Sequence, residues 1–155
     1  MTRFISVKTK EELEAIRGLF ISYGMWRNHD AALGDFQKEL DELPGKYGPP
    51  DGALFLAEEN GKAAGMIAYQ KIEEGICEMK RMYVLDDFRK KGIGRKLVEI
   101  LLAEAKRMGY NRMRLDTHPR MKAAHRLYAN MGFYEIERYN ENPTPGIRFF
   151  EQIID

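Results

Sequence analysis

The amino-acid sequence predicts a single α/β domain, and three observations support this prediction. The chain has 155 residues, which is the length of one ordinary domain. Its middle part, residues 53–84, contains short apolar segments separated by turn residues, as in an antiparallel sheet. Apolar residues recur at helical spacing before and after this part. We therefore expect one domain that spans residues 1–155.

The N-terminal part is predicted to contain one strand and two helices. Residues 4–7 form the strand, and the Thr-x-x-Glu pattern of Thr9 and Glu12 is typical of a capping box that opens a helix. The apolar residues of this helix recur at helical spacing: Leu13, Ile16 and Phe20. A second helix is expected to begin near Asp30, with an apolar stripe of Leu33, Phe36, Leu40 and Leu43. Pro44 and Gly45 end this helix, which leaves residues 44–52 as a loop.

A three-stranded antiparallel meander is predicted for residues 53–84. The first two strands, residues 53–57 and 64–69, flank Asn60-Gly61, a dipeptide that favours the tight turn of a hairpin. A second turn at Gly75 leads into the third strand, residues 76–84. These residues therefore supply the centre of the sheet.

The C-terminal part is predicted to alternate helices and strands. Residues 92–108 form an amphipathic helix, residues 113–117 a strand and residues 121–131 another helix. A last hairpin pairs residues 133–137 with residues 148–154. The segment between those strands contains two prolines and is expected to be irregular.

The overall charge excludes a strong general attraction to nucleic acid or to an anionic membrane. Lys and Arg total 25 and Asp and Glu total 24, so an anion site would have to be local. No stretch approaches the roughly 20 apolar residues that cross a bilayer, and the N-terminus lacks the apolar stretch of a signal peptide. We therefore expect a cytoplasmic protein without a nucleic-acid or membrane partner. The single cysteine, Cys77, is compatible with that location.

The most informative stretch is residues 82–97, where a strand, a short loop, two glycines and a helix start follow in that order. The first N–H groups of a helix have no partner within it, and Gly92 and Gly94 allow a ligand to approach them closely. A pyrophosphate would fit there, although a tight turn with a solvated basic face has the same pattern. The sequence lacks the ending of a Walker A loop, and Leu97 replaces the third glycine of a dinucleotide fingerprint.

Two motifs carry a resemblance to a known family. Residues 89–94, Arg-x-x-Gly-x-Gly, follow a strand that ends Met82-Tyr83-Val84 and resemble the acyl-CoA signature of the GCN5-related N-acetyltransferases, the GNAT family. Residues 124–133, Ala-x-x-Leu-Tyr-x-x-x-Gly-Phe, are similar to the helix and turn that close the thiol side of that family's cofactor site. The close resemblance covers residues 53–137. Met121 stands where many members have Asn, so a polar contact to the cofactor is expected to be missing.

The resemblance implies a mixed, mostly antiparallel sheet that is splayed between its fourth and fifth strands, with helices on both faces. It also implies acetyl-CoA as cosubstrate, with the pantetheine arm in the gap of the sheet and paired with the backbone of Met82, Tyr83 and Val84. Backbone amides of the following loop would wrap the pyrophosphate. The remaining residues expected to bind the cofactor are Arg89, Lys90, Lys91, Gly92, Ile93, Gly94 and Arg95.

Transfer of an acetyl group from a thioester to an amine requires a neutral amine and a proton for the departing thiolate. Tyr128 occupies the position that the resemblance assigns to the general acid. Helical spacing places Tyr128 with Ala124 on the side that faces the sheet. A tyrosine in an apolar helix stripe can also be a core residue only.

Two carboxylates are candidates for the base that deprotonates the amine. Glu78 resembles the base glutamate of histone-acetylating members of the family, and Asp116 resembles the catalytic glutamate of ribosomal-protein alanine acetyltransferases. Strand alternation predicts that four residues share one face: Glu78, Lys80, Met82 and Val84. Each carboxylate could instead pair with a cation such as Lys80 or Arg114, and water could mediate the deprotonation.

For the other polar residues the sequence favours a structural role or leaves the role undecided. Cys77 must point away from Glu78 and is expected to be a core residue. His118 could reach the acceptor pocket or lie exposed in its loop. His29 and His125 are not spaced with other ligands as a metal site requires, so we expect no metal. Candidates for lining the acceptor pocket are Trp26, Arg27, Tyr47 and Tyr139.

The sequence therefore predicts an acetyl-CoA-dependent N-acetyltransferase. It would transfer acetyl to a primary amine of a small molecule or a peptide by direct attack in a ternary complex. The alternative is a module of the same fold that binds CoA without turnover. Nucleotide binding at the glycine loop is a third hypothesis. The sequence leaves a homodimer open.

Overall fold

The computed structural model describes residues 1–26 and 36–154, with the side chain of Trp26 excepted. The predicted start of the second helix near Asp30, together with Arg27, His29 and Leu33, lies outside the described residues. The helices are α1 (Lys10–Trp26), α2 (Phe36–Glu42), α3 (Ile93–Arg107) and α4 (Lys122–Asn130). The strands are β1 (Thr2–Ser6), β2 (Ala53–Glu59), β3 (Lys62–Glu73), β4 (Ile76–Val84), β5 (Arg112–Thr117), β6 (Tyr134–Ile136) and β7 (Arg148–Ile153). Leu43, predicted to belong to the second helix, follows the end of α2.

Local signals in the sequence account for the element boundaries. The capping box forms as predicted: the Glu12 N–H donates to Thr9 Oγ1 at 3.1 Å, and the Thr9 N–H donates to Glu12 Oε1 at 2.9 Å. Asn60 and Gly61 both have positive φ, as a tight hairpin turn requires. Gly92 precedes α3 in the left-handed conformation, with φ of 79°, which glycine adopts without a steric cost.

The seven strands form one sheet in the order β1-β2-β3-β4-β5-β7-β6. All neighbouring strands are antiparallel except β4 and β5, which are parallel and pair only from Ile76 opposite Arg112 to Glu78 opposite Arg114. Beyond these pairs β4 continues to Val84 and β5 to Thr117 without pairing with each other. The predicted splay between the fourth and fifth strands is therefore confirmed.

Helices cover both faces of the sheet, and each face has its own apolar core. Leu97, Leu101 and Tyr128 belong to the core that α3 and α4 form on one face. Ile16 and Phe20 of α1 belong to the core on the other face. The helices thus hold the two diverging strands from both sides, and the space between those strands becomes a cleft.

A β-bulge in β4 changes which residues share a face. Met66 and Ala68 of β3 pair with Tyr83 and Lys80, so two residues of β4 stand opposite one residue of β3. Arg81 lies at this bulge with φ of 59°. The bulge interrupts the alternation of side chains on which the sequence prediction for β4 depended.

The prediction that Glu78, Lys80, Met82 and Val84 share one face is consequently wrong. Lys80 lies opposite Ala68, whose side chain belongs to the core beneath α1, and Glu78 lies on that same face opposite Gln70. Met82 and Val84, beyond the bulge, pack against the core beneath α3 and α4. The strand therefore presents charged residues to one face and apolar residues to the other.

Candidate active site

The cleft between the diverging ends of β4 and β5 is the candidate active site. It is lined from β4 by Met79, Lys80, Arg81 and Met82, and from β5 by Leu115, Asp116 and Thr117. Tyr23 of α1, Met121 and Tyr128 of the α4 region and Asn142 complete the lining. The cleft thus combines thioethers, hydroxyl groups, two cations and one carboxylate. Met121, the residue that departs from the family pattern, places a thioether there instead of an amide.

The glycine loop lies beside this cleft at the start of α3. The first helical hydrogen bond that includes Gly92 is donated by the Lys96 N–H to Gly92 O, at 3.1 Å. The amides of Ile93, Gly94 and Arg95 therefore precede the regular bonding of the helix. These N–H groups and the helix dipole make the loop suited to an anion.

The two glycines of the loop differ in whether the backbone conformation favours glycine. Gly92 has a positive φ, which favours glycine whatever the surroundings. A Cβ atom at Gly94 would lie 3.8 Å from Leu127 and 3.9 Å from Met82 and Val84, which is ordinary contact. A larger residue would thus fit at position 94 within the described protein, and glycine leaves that space open for a ligand.

Arg89 and its neighbours shape the turn that carries the loop. The Arg89 Nε–H donates to Val84 O at 2.9 Å, and the Arg89 guanidinium pairs with Asp86 at 2.7 Å. Lys90 has φ of 64°, and the Lys91 ammonium lies 5.6 Å from the centre of the Phe88 ring. These contacts fix the end of β4 relative to the start of α3. The assignment of this loop to the cofactor stays a prediction.

Tyr128 lies on the cleft side of α4 and is buried, with 5% of its surface exposed. Its ring centre is 5.7 Å from that of Phe133 and 6.4 Å from that of Phe150. These aromatic contacts restrict the ring, and the same residue lines the cleft together with Asp116 and Thr117. The structure thus brings the predicted acid and one of the predicted bases to a common cleft.

The two candidate bases meet through one amide group. Asn140 Nδ2 donates to Asp116 Oδ2 at 2.7 Å and to Glu78 Oε2 at 3.1 Å. Glu78 also accepts hydrogen bonds from Gln70 Nε2 at 2.8 Å and from the Tyr139 hydroxyl at 2.6 Å. Glu78 is 3% exposed and is enclosed by these groups, whereas Asp116 lines the cleft. Asp116 is therefore the carboxylate that an acceptor in the cleft can contact.

Tyr139 supports Glu78. Burial and the neighbouring Glu78 carboxylate raise the pKa of Tyr139 far above its ordinary value, so its hydroxyl stays protonated and donates. The Arg114 guanidinium lies 5.4 Å from the centre of the Tyr139 ring, and Phe149 packs edge-on against that ring at 5.3 Å. These contacts anchor the segment that carries Asn140 over the two carboxylates.

Asn140 and Asn142 are site residues that sequence reasoning missed. The sequence indicates only that they lie in an irregular, proline-containing segment. The Asn142 N–H donates to Asn140 Oδ1 at 3.0 Å, and the Thr144 N–H donates to Asn142 Oδ1 at 3.0 Å. Side-chain amides of this kind often satisfy the backbone of irregular loops. The sequence therefore offered no signal that one of them faces the carboxylates.

Arg81 was also missed, and it forms a buried ion pair behind the cleft. Arg81 Nη2 lies 2.7 Å from Glu39 Oε2, and the Arg81 Nε–H donates to Glu39 Oε1 at 3.1 Å. The Tyr47 hydroxyl donates to the same carboxylate at 2.7 Å. Despite the opposing effect of burial, the Arg81 cation holds the pKa of Glu39 below its ordinary value. Tyr47, predicted as a candidate for the acceptor wall, thus has a supporting role.

The structure also places the cysteine and the loop histidine that the sequence analysis considered. Cys77 is fully buried on the face opposite Glu78, and burial raises the pKa of its thiol to about 12. His118 is half-buried, and its Nδ1 accepts a hydrogen bond from the Arg120 N–H at 3.1 Å. Among residues 1–26 and 36–154, no three His, Cys, Asp or Glu side chains converge as metal ligands. None of the helices in the described part of the chain is long and apolar enough to span a membrane.

Comparison with known proteins agrees with this geometry. The chain matches the acetyltransferase (GNAT) family over residues 14–133, and it belongs to that family. An uncharacterised N-acetyltransferase of Schizosaccharomyces pombe is 34% identical over 144 residues, which cover 92% of this chain and 88% of the relative.

Solved structures share the fold over the whole chain. An acetyltransferase of the GNAT family from Staphylococcus aureus has a TM-score of 0.84 at 22% identity and covers 100% of both chains. The PaiA N-acetyltransferase from Thermoplasma acidophilum, solved in complex with coenzyme A, has a TM-score of 0.76 at 18% identity and covers 99% of both chains. At these identities the comparison defines the fold.

Proposed function

We propose that this protein transfers an acetyl group from acetyl-CoA to a primary amine of a small molecule or a peptide. The observation that carries the proposal is the parallel pair of β4 and β5 that splits after Glu78, with a glycine-rich helix start beside the split. Family membership supports the same activity. Direct attack of the amine in a ternary complex is the proposed route, since the buried Cys77 thiol lies on the opposite face from Glu78 and resists ionisation.

The residues of the cleft and loop fit acetyl-CoA as cosubstrate. The edge of β4 beyond Glu78 does not pair with β5, so the backbone of Met82 to Val84 faces the gap where an extended pantetheine arm would bind. Amides between Lys90 and Arg95 would hold the pyrophosphate, and Gly94 leaves room for its approach. When bound, acetyl-CoA supplies the acetyl group as an activated thioester.

We propose that Asp116 is the base. An amine is a nucleophile only when neutral, and Asp116 lines the cleft where an amine would enter. Glu78 is proposed as a positioning carboxylate that holds Asn140, which in turn holds Asp116. As the nitrogen–carbon bond forms, the amine proton passes to Asp116 directly or through water.

Tyr128 is the proposed general acid. As the carbon–sulfur bond breaks, the Tyr128 hydroxyl gives its proton to the departing sulfur, and the aromatic packing of α4 keeps its ring in place. A tyrosine suits this role because the ordinary pKa of a phenol lies above that of a thiol. A thiolate is a tolerable leaving group, so this proton transfer contributes less than the activation of the amine.

Two experiments test this proposal. Thermal shifts with acetyl-CoA, CoA, ATP and NAD separate a CoA site from a nucleotide site, because at equal concentration the ligand with the lower dissociation constant stabilises the folded protein more. CoA release with a panel of amines then separates an enzyme from a module that only binds CoA. Stabilisation by CoA without release for any amine would contradict the enzymatic proposal. Cytoplasmic location and a homodimer stay predictions, which fractionation and size-exclusion chromatography would check.

A further inference from the structure

The charges that line the cleft differ in how well they are neutralised within the protein. Arg81 is bound by both oxygens of Glu39, so its charge is offset behind the cleft. Asp116 accepts a hydrogen bond from Asn140, whose side chain is neutral and does not offset the charge of a carboxylate. The cleft therefore retains a negative group on β5, opposite the cations of β4.

Lys80 is the cation whose charge is least offset. Its side chain is 21% exposed, and its ionic partner is Glu78 Oε1 at 3.9 Å, which is beyond hydrogen-bond distance. Glu78 already accepts three closer hydrogen bonds, from Gln70, Tyr139 and Asn140. A half-buried ammonium group with so distant a partner retains donors for a ligand, and it faces the cleft.

We propose that Lys80 binds a carboxylate of the acceptor and that the acceptor is therefore an amino acid with its carboxylate next to the amine. This inference rests on the proposed function. The acceptor amine would lie at Asp116 on one wall and the carboxylate at Lys80 on the other. In an α-amino acid a single carbon separates the two groups, and Lys80 and Asp116 line the same cleft.

The same charges disfavour other classes of acceptor. A polyamine would bring a second cation towards Lys80, and like charges at short range are repelled. The N-terminus of a peptide carries an amide where an amino acid carries its carboxylate, so it leaves the Lys80 ammonium without an anionic partner. Discrimination by one charge-assisted hydrogen bond amounts to about tenfold to a hundredfold.

The first test compares each of the common L-amino acids with its own carboxamide in an assay of CoA release. The pair shares the side chain and the α-amine and differs in the carboxylate. The carboxamide amine has the lower pKa, near the peptide value of about 7.7–8.0, so more of it is neutral at a given pH. A preference for the acid therefore cannot arise from ionisation of the amine. We expect kcat/KM to favour the acid by about tenfold or more for the best side chain.

Variants at Lys80 then separate contact with the acceptor from support of Glu78. Lys80→Met is expected to lower kcat/KM for the acid by about tenfold to a hundredfold and for the carboxamide by less than about threefold. Lys80→Arg, which keeps the charge, should restore part of the preference. Lys71→Met, the same change at a lysine of β3 that pairs with Glu74 at 2.9 Å, is the matched control and should keep the preference.

The outcomes distinguish this inference from the proposed function. Equal kcat/KM for acids and carboxamides in the wild-type protein would overturn the inference but leave the proposed acetyltransferase activity intact. This comparison needs no variant. A loss of equal size for both acceptors in a folded Lys80→Met protein would also overturn it, because it would assign Lys80 to the support of Glu78. If no amine of any class releases CoA, the proposed function itself fails and the inference fails with it.

Discussion

Replacement of Asp116 by Asn is expected to abolish most of the turnover at acidic pH. The Asn amide has the size of the carboxylate, and its oxygen can keep the hydrogen bond from Asn140 that Asp116 accepts at 2.7 Å. The cleft should therefore keep its shape and lose only the proton acceptor. General bases contribute about a hundredfold to ten-thousandfold, and water can replace part of this role. We expect kcat/KM to fall about a hundredfold, most strongly where the free amine is protonated.

Glu78→Gln provides the matched comparison. Both oxygens of Glu78 accept hydrogen bonds, from Gln70 on one side and from Tyr139 and Asn140 on the other. A Gln side chain can keep its oxygen towards Tyr139 and Asn140 while the Gln70 amide turns to accept from its NH2 group. The hydrogen bonds from Tyr139 and Asn140 then end at a neutral oxygen instead of a carboxylate, which costs about 1 kcal/mol of stability. We expect a lower melting temperature, a loss of kcat/KM below about tenfold and an unchanged acidic limb, because Asp116 remains.

The measurement is the profile of kcat/KM against pH for the wild type and both variants, with melting temperatures and acetyl-CoA affinities as controls. Asp41→Asn, at an exposed carboxylate of α2, controls for the loss of one negative charge. An unchanged acidic limb in Asp116→Asn together with its loss in Glu78→Gln would refute the reasoning and make Glu78 the base. Unchanged limbs in both variants would assign the deprotonation to water alone.

Three further predictions concern the cofactor loop, the general acid and stability. Gly94→Glu should weaken acetyl-CoA binding, measured by calorimetry, at least about tenfold, because the new carboxylate would repel a phosphate. Gly18→Glu on α1 is the control variant. If Gly94→Glu changes the affinity by less than about twofold, the assignment of the loop is wrong. Tyr128→Phe should lower turnover about tenfold to a hundredfold with acetyl-CoA affinity nearly unchanged, whereas wild-type turnover in a folded variant would make Tyr128 a packing residue. Burial, and secondarily the Arg148 cation, lowers the pKa of His125. Stability should therefore fall as pH drops through about 6.5 towards that lowered pKa. His125→Gln should remove this dependence in thermal melts, and an equal slope in the variant would contradict it.

The prediction for His125 depends on which ring nitrogen carries the proton in the folded protein. Arg148 Nη1 lies 3.2 Å from His125 Nδ1, and a guanidinium can only donate, so Nδ1 must accept. The proton then resides on Nε2, which lies 3.1 Å from His118 O. A second proton on the ring would face the Arg148 cation. The loss of stability occurs above the pH range in which Glu39 and Glu151, whose pKa values are lowered, take up protons.

Much of the fold could be predicted from the sequence because its signals are local. The capping box at Thr9, the hairpin at Asn60-Gly61 and the apolar stripe of α3 each depend on residues within one or two turns of the chain. The splay of the sheet, in contrast, was an implication of the family resemblance. No residue near Glu78 shows by itself that pairing with β5 stops there.

The site could be predicted only where a motif positions a residue along the chain. Tyr128 and Asp116 follow from spacing within the family pattern, and both line the cleft. Asn140 could not be found, because its partners Glu78 and Asp116 are 62 and 24 residues away in the chain. Its role depends on where an irregular segment returns to the sheet. Such a segment has no periodic pattern of apolar residues from which its path could be predicted.

The bulge at Arg81 shows why the arrangement of charges in the cleft depends on the whole fold. A residue other than glycine with a left-handed φ costs on the order of 1 kcal/mol, and glycine would adopt φ of 59° more easily. Arg81 keeps this position because both oxygens of Glu39 bind one edge of its guanidinium, and the rings of Tyr23 and Phe36 each lie 5.6 Å from it. The extra residue that this ion pair holds in place moves Met82 to the face of α3 while Lys80 stays on the face of α1. The separation of an apolar wall from a charged wall in one strand therefore depends on an ion pair with α2, a helix 42 residues earlier in the chain.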